Sequence, residues 1–295
     1  SIVRDAELLD QIDKSLENKT SGIIDIETKK PHFQFYKISV MHFPEKLSNQ
    51  NEGVIIFFKD LTDIVKVQKL KSDFVANVSH ELRTPLQSIK LGLETINNGH
   101  ASKDKESQKK IMSVVLQQTQ RMESIVNDLL SLSRIELQEH IRPHDKVSLN
   151  EIIMHSIELH QELLKKNSIF CKINSKAEDD VILGDRNRLI EVFNNLIDNA
   201  IKYSNKNGEI NISSKLGGKN LIVSIKDNGI GIPKEHIPKI TERFFRVNPA
   251  KSKEVGGTGL GLAIVKHIIN QHRAEMIISS EDGNGTEITI NFPKI

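Results

Sequence analysis

Four short runs of this chain hold side chains equipped for chemistry. Ser79-His80-Glu81-Leu82-Arg83-Thr84-Pro85-Leu86 sets an imidazole beside a carboxylate. An imidazole is largely neutral near pH 7, so an exposed one is a usable nucleophile. Glu81 can hold the N–H of one ring nitrogen, which makes the other nitrogen the better nucleophile. In Asn194-Asn195-Leu196-Ile197-Asp198-Asn199-Ala200-Ile201-Lys202-Tyr203, Asn195 and Asn199 are four apart and share one helix face. Their amide oxygens suit Mg2+ directly or through its waters. Lys202 has the reach to meet phosphates and Tyr203 the ring to cover a nucleotide. Asp227-Asn228-Gly229-Ile230-Gly231-Ile232-Pro233 follows a strand-like run, where a carboxylate can accept from an adenine amino group and glycines let the backbone approach a base. Gly256-Gly257-Thr258-Gly259-Leu260-Gly261-Leu262 leads into a helix, whose first N–H groups bind phosphate. It is not a Walker A loop, for no Gly-Lys-Ser/Thr follows, and its spacing is wrong for a dinucleotide fingerprint. Taken singly, each run has an ordinary alternative: a surface histidine beside a solvated glutamate, a polar helix face, a tight turn, a glycine-rich loop.

The elements that must position these runs are legible from periodicity. On a helical wheel with His80 at zero, Phe74, Val75, Val78, Leu82, Leu86, Ile89, Leu93 and Ile96 fall on the opposite half. His80 therefore points to solvent, with Thr84 and Gln87 on its face. Pro85 removes a backbone donor, so a bend is expected beside His80. This helix is expected over 61–97, capped by Asp60 or Thr62 and ended by Asn98-Gly99-His100. A second helix is expected over 104–139. Its Ile111, Val115, Gln118, Met122, Ile125, Leu129 and Leu132 form a heptad seam with one polar position. Two such helices joined by a short turn make an antiparallel hairpin that cannot bury its seam alone, so a dimer forming a four-helix bundle is expected.

Before the hairpin, 5–16 has helical spacing, and Gly22–Ile26, Phe33–Phe43 and Val54–Phe58 read as strands, with 44–52 a polar turn between the last two. After Pro143 the chain alternates helices (149–165, 185–203, 263–271) with strands (209–214, 221–226, 275–279, 286–292), which reads as an α/β sandwich. The fold class expected is multidomain α+β.

The 295 residues suffice for two or three domains. A net charge of +2 gives no strong nucleic-acid or membrane field, so no nucleic-acid partner is expected. The single Cys171 excludes an internal disulfide framework and suits a reducing cytosol. No run of about 18 apolar residues is present, so no membrane span is expected in this stretch. The start at Ser1 without methionine is read as that of a cytoplasmic fragment, compatible with a longer, membrane-anchored parent.

The run 79–86 resembles the H-box of the histidine kinase family over eight consecutive residues. The three later runs, in order, resemble the N, G1 and G2 boxes of the Bergerat ATP-binding fold, and Arg243-Phe244-Phe245-Arg246-Val247 resembles its F-box. The resemblance implies that His80 is the phosphoacceptor and Glu81 its acid/base partner. It implies that Thr84 positions water when a response regulator is dephosphorylated. It implies an ATP site formed by Asn195, Asn199, Lys202, Tyr203, Asp227, Gly229, Gly231, Ile232, Arg246, Gly257, Thr258, Gly259, Leu260, Gly261 and Leu262. In that site Asn199 holds Mg2+, Asp227 reads adenine, Arg246 approaches the γ-phosphate, and a mobile lid runs from about 234 to 256 with Lys251 and Lys253 on it. Thr241 departs from the F-box pattern, where an aromatic is usual, and this implies weaker lid anchoring.

Gyrase, Hsp90 and mismatch-repair ATPases share the nucleotide fold but look alike in a water-activating Glu four residues before the metal-binding Asn. Here that position is Asn195, and an amide is not a useful general base, which favours transfer to His80 over hydrolysis. The rival class is a non-catalytic dimeric scaffold that binds a regulator; another is a mainly phosphatase protein. Residues 53–62 resemble the last strand of a PAS domain and its junction, and the whole chain is similar to PhoR-type sensors, which implies a PhoB-like receiver partner. The expected division is 1–60, the C-terminal part of a PAS-like sensor; 61–142, signal helix and hairpin; and 143–295, the ATP-binding domain.

Overall fold

The computed structural model describes residues 5–28, 32–43, 53–97, 104–175, 177, 180–248 and 256–294. Its contacts divide the chain into two units, 1–79 and 80–295, with the division inside one long helix.

In the first unit, helix α1 (Ala6–Asn18) starts where the Asp5 side chain accepts from the Glu7 N–H at 3.0 Å. Strands β1 (Gly22–Thr28), β2 (Gln34–Phe43) and β3 (Gly53–Asp60) pair antiparallel in that order. Alternation along each strand places Ile24 and Ile26, Ile38 and Val40, and Val54 and Ile56 in one core with Leu8 and Ile12 of α1. The expected turn at 44–52 lies outside the described residues. Helix α2 (Thr62–Asn97) begins with Asp60 Oδ1 accepting from Thr62 N at 2.9 Å. Asp60 is thus the cap, while Thr62 Oγ1 accepts from Phe35 N of β2 at 3.0 Å.

In the second unit α2 continues through Pro85 as one helix. The expected helix stop at 98–100 lies outside the described residues. Helix α3 (Lys105–Gln138) is capped by Asp104, which accepts from Glu106 N at 3.0 Å. Every seam position from Ile111 to Leu132 is at least partly buried, and Ile125 and Leu132 fully so. A Cβ on Gly92 would lie 2.8 Å from Val115 Cγ2, so α2 and α3 approach as closely as glycine allows.

The rest of the unit is a two-layer α/β sandwich. A five-stranded sheet runs β5 (Phe170–Ser175), β7 (Glu209–Gly217), β8 (Asn220–Asp227), β10 (Thr286–Pro293), β9 (Glu275–Ser280), parallel only between β5 and β7. The short pair β4 (Lys146–Ser148) and β6 (Val181–Leu183) closes one end. Helix α6 (Arg186–Tyr203) packs between α4 (Leu149–Leu159) and α7 (Gly261–Gln271) over the sheet. Its Leu189, Val192, Phe193, Leu196 and Ile197 are buried, as are Ile210, Ile212, Val223, Ile225, Ile290 and Phe292 of the sheet.

Two expectations are corrected. The single helix over 149–165 is two, α4 and α5 (Gln161–Lys166). The chain turns at His160, whose backbone N–H bonds Ile157 O at 3.0 Å and whose Nδ1 bonds Ser156 O at 2.7 Å. Strands β4, β5 and β6 were not expected: two are three residues long, and β5 is an exposed edge whose pairing comes from β7.

His272, 2% exposed at the end of α7, donates from Nδ1 to Ile268 O at 2.7 Å and accepts at Nε2 from Asp185 N at 3.0 Å, the residue that caps α6. Burial pushes its pKa down, against the Ile268 bond and the Asp185 charge. The unfolded state therefore binds a proton first as pH falls, and stability present above about 6.5 is lost below it. We expect the melting point of the wild type to fall between pH 7.5 and 5.5 relative to His272→Gln, measured by calorimetry; parallel curves would contradict this.

Candidate active site

Asn195, Asn199, Lys202 and Tyr203 project from one side of α6 because the opposite side carries the buried Leu196, Ile197, Ala200 and Ile201. They line a cavity of about 300 Å3, at the lower end of the roughly 300–1,000 Å3 usual for small-molecule sites. Asp227 at the end of β8, Gly231, Ile232, Arg246, Gly257, Thr258, Gly259, Gly261 and Leu262 complete its wall. Of the expected ATP-site residues, Gly229 and Leu260 do not line it. Gly229 N donates to Asp227 Oδ1 at 2.9 Å, and a Cβ there would meet Tyr203 O at 2.1 Å. Leu260 is fully buried under the loop that opens α7.

Asp227 Oδ1 accepts from Gly229 N (2.9 Å) and Thr286 N (3.3 Å), while Oδ2 has no hydrogen bond among the described residues. Burial pushes its carboxyl above the usual range, against those backbone bonds. Asn195 is anchored through Nδ2 to Glu191 O at 2.9 Å, and its Oδ1 fills the space where a Cβ on Gly261 would lie, 2.4 Å away. Lys202 is paired with Asp198 at 2.7 Å. The Asn199 amide has no hydrogen bond among the described residues and opens on the cavity. A neutral, unengaged hard oxygen beside a nucleotide-sized cavity fits a Mg2+ ion that keeps most of its waters and takes its remaining ligands from phosphates.

The glycine-rich loop is clasped by the F-box run. Phe244 adopts φ 63°, donates its N–H to Gly259 O at 2.8 Å, and lies 2.9 Å from where a Gly259 Cβ would be. Arg246 Nη2 donates to Gly257 O at 2.7 Å. Lid residues 249–255, with Lys251 and Lys253, lie outside the described residues. Gly231 adopts φ +68°, and a Cβ on it would fall 1.9 Å from Glu281 O. Gly231→Ala is expected to destabilise the unit by about 1–3 kcal/mol and to weaken ligand binding; an unchanged melting point would contradict it.

His80 is exposed and does not line the cavity. Thr84 is half-buried, its hydroxyl donating to His80 O at 3.2 Å. Glu81 turns inward, where Arg121 of α3 (3.0 Å) and Arg246 (3.2 Å) both reach its Oε2. Arg246, expected at the phosphates, thus bridges the histidine helix and the glycine loop here.

Sequence reasoning missed the α3 side of the site. Ser124 and Asp128 line the cavity, and Thr258 Oγ1 donates to Asp128 Oδ2 at 2.7 Å. Burial pushes Asp128 up; the Thr258 bond opposes this, while Glu191 and Asp198 add to the rise. Further along α3, Ser131 bonds Glu191 at 2.5 Å, Glu136 pairs with Arg243, and Glu139 accepts from His267 (2.8 Å) and Asn270 (3.1 Å). These polar residues flank the heptad seam, where sequence alone reads a solvated face.

Two family models match the chain: "Histidine kinase-, DNA gyrase B-, and HSP90-like ATPase" over 184–295 and "His Kinase A (phospho-acceptor) domain" over 70–138. The chain is 34% identical over 284 residues to the sensor protein kinase WalK of Staphylococcus saprophyticus, covering 96% of this chain and 46% of that one. It is 37% identical over 243 residues to WalK of Staphylococcus aureus, covering 82% and 58%. It thus spans about half the length of the curated relatives it matches. Among solved structures, the Acinetobacter baumannii histidine kinase AdeS is 26% identical with a TM-score of 0.58, covering 72% of this chain and 97% of that one. The histidine kinase ThkA, in complex with response regulator protein TrrA, is 26% identical with a TM-score of 0.56, covering 98% and 83%. The first family model describes an ATPase domain, so the cavity belongs to an ATP-binding domain.

Proposed function

Because the chain belongs to the sensor histidine kinase family, we propose that it transfers the γ-phosphoryl group of ATP to His80 and passes it to an aspartate of a response-regulator receiver domain. One observation carries the reading: a single compact unit holds both an exposed His80 beside Glu81 and the cavity walled by the asparagine helix, Asp227 and the glycine loop.

In this reading the free Oδ2 of Asp227 accepts the adenine amino group, with Gly229, Gly231 and Ile232 shaping the turn beneath the base. The loop from Gly257 to Leu262 presents backbone N–H groups to the phosphates. Asn199 holds Mg2+, with Asn195 beside it; the ion, when bound, neutralises phosphate charge. Lys202 and Arg246 add to that neutralisation. Glu81 takes the N–H of one imidazole nitrogen of His80 while the other nitrogen attacks in line. A P–N bond forms, and the P–O bond to the leaving ADP breaks. Asn195, held by Glu191 O and pressed on Gly261, supplies no base to activate water. Thr84, beside His80, is the residue through which the same protein would dephosphorylate its regulator.

A homodimer is part of the proposal. In the single chain Leu86 is 56% and Leu93 49% exposed on α2, and Leu116 and Leu130 on α3 are exposed as well. A four-helix bundle would cover such residues. We further propose the division 1–60, 61–142 and 143–295. The α1–β3 sheet would be the end of a PAS-like sensor, and the stretch a cytoplasmic part of a longer protein. No helix among the described residues is long and apolar enough to cross a membrane. Similarity to PhoR-type sensors would make the partner a PhoB-like receiver; the relatives reported above are WalK sensors, so the test takes the receivers of the source organism together.

That test is phosphotransfer profiling. The chain, labelled with γ-32P ATP and freed of nucleotide, should pass its label within minutes to one or a few receiver domains of the source organism. Label that stays on the chain with every receiver would remove the transfer step from the proposal.

A further inference from the structure

Glu81 meets two cations through one atom. Arg121 Nη2 and Arg246 Nη2 both donate to its Oε2, at 3.0 and 3.2 Å, while Oε1 has no hydrogen bond among the described residues. The two arginines are not equivalent. Arg246 also donates to Gly257 O and so is tied to the glycine loop, which puts it next to the phosphate-binding wall. Arg121 stands in the middle of α3, its side chain 12% exposed and its Nε buried without a partner. It has no tie to the glycine loop among the described residues. A carboxylate this enclosed needs a permanent counter-charge. A charge-assisted hydrogen bond from Arg121 Nη2 to one oxygen restrains the carboxylate and leaves the other oxygen available.

We propose that Arg121 is the positioning residue of Glu81. It holds Oε2 from α3 and so leaves Oε1 available to the imidazole N–H of the neighbouring His80 when Arg246 engages the phosphates. This deepens the kinase reading and rests on Glu81 being the proton acceptor there. It makes the hairpin's second helix part of the reacting arrangement, since α3 fixes the base that serves the histidine of α2. Lysine at 121 would keep the charge but lose the planar guanidinium, and glutamine would lose the charge.

The test measures initial rates of phosphohistidine formation at saturating Mg-ATP, with the KM for ATP, in the whole chain. The variants are Arg121→Gln, Arg121→Lys, Glu81→Gln and the double Glu81→Gln/Arg121→Gln, each checked for wild-type melting. Arg121→Gln should slow labelling at least tenfold with KM unchanged, and Arg121→Lys should recover part of the rate. In the Glu81→Gln background the Arg121→Gln change should matter less than twofold, because the group it positions is already gone. A loss of equal size in both backgrounds, or one expressed in KM, would assign Arg121 a merely structural role and overturn the inference. So would an Arg121→Gln rate within twofold of wild type. If Glu81→Gln alone labels as fast as wild type, the acid/base assignment fails, and this inference with it. A wild type that takes no label overturns the kinase reading itself.

Discussion

Asp227→Asn is expected to weaken ATP binding about 10- to 150-fold, the worth of a hydrogen bond to a charged group, while leaving the fold in place. The substitution is chosen for what it keeps. Asp227 Oδ1 satisfies the N–H groups of Gly229 and Thr286, and an asparagine oxygen can go on doing so. What changes is Oδ2, the atom with no partner among the described residues, which becomes an amino group. A donor then faces the adenine amino donor, so the interaction turns from attraction to conflict. Asp227→Ala would be a poorer test, because it strands two backbone donors and unfolds part of the turn. Titration with a fluorescent ATP analogue reads the effect, and a dissociation constant within threefold of wild type would contradict the assignment of Asp227.

His80→Gln is expected to abolish labelling while ATP affinity stays within twofold of wild type. The two halves of that expectation come from the same geometry. His80 is exposed on α2 and takes no part in the cavity wall, so its loss leaves the nucleotide where it was. Glutamine keeps the polarity and approximate size of the side chain but has no nucleophilic ring nitrogen. Filter-bound label after acid and base washes gives the first readout and analogue titration the second. Label surviving in the variant would move the acceptor elsewhere.

The parts of this architecture that were legible beforehand are those with a local period or a local cap. The α3 seam repeats every three or four residues, and its burial follows that repeat through Leu132. The cap at Asp60, one of the two candidates for the helix over 61–97, is a single side chain acting two residues away. The turn and loop that wall the cavity were legible because each is a contiguous run whose backbone demands are written in glycines, as at Gly231 and Gly259. What stayed hidden depends on partners far along the chain. Strands β4 and β6 are three residues each and exist only because they find one another. The turn at His160 contains neither proline nor glycine to announce it. Arg121 and Asp128 sit beside the seam as any solvated charge would. Their use depends on how α2, α3 and the glycine loop are brought together, 40 and 130 residues apart in the chain.

The central claim is that this site gives phosphate to an imidazole and not to water. A single turnover of the wild-type chain with γ-32P ATP, quenched in base and digested, locates the phosphate directly. The expected result is acid-labile, base-stable label on the peptide containing His80, in excess over free inorganic phosphate. Label on another peptide, or inorganic phosphate released with no phosphopeptide, would contradict it.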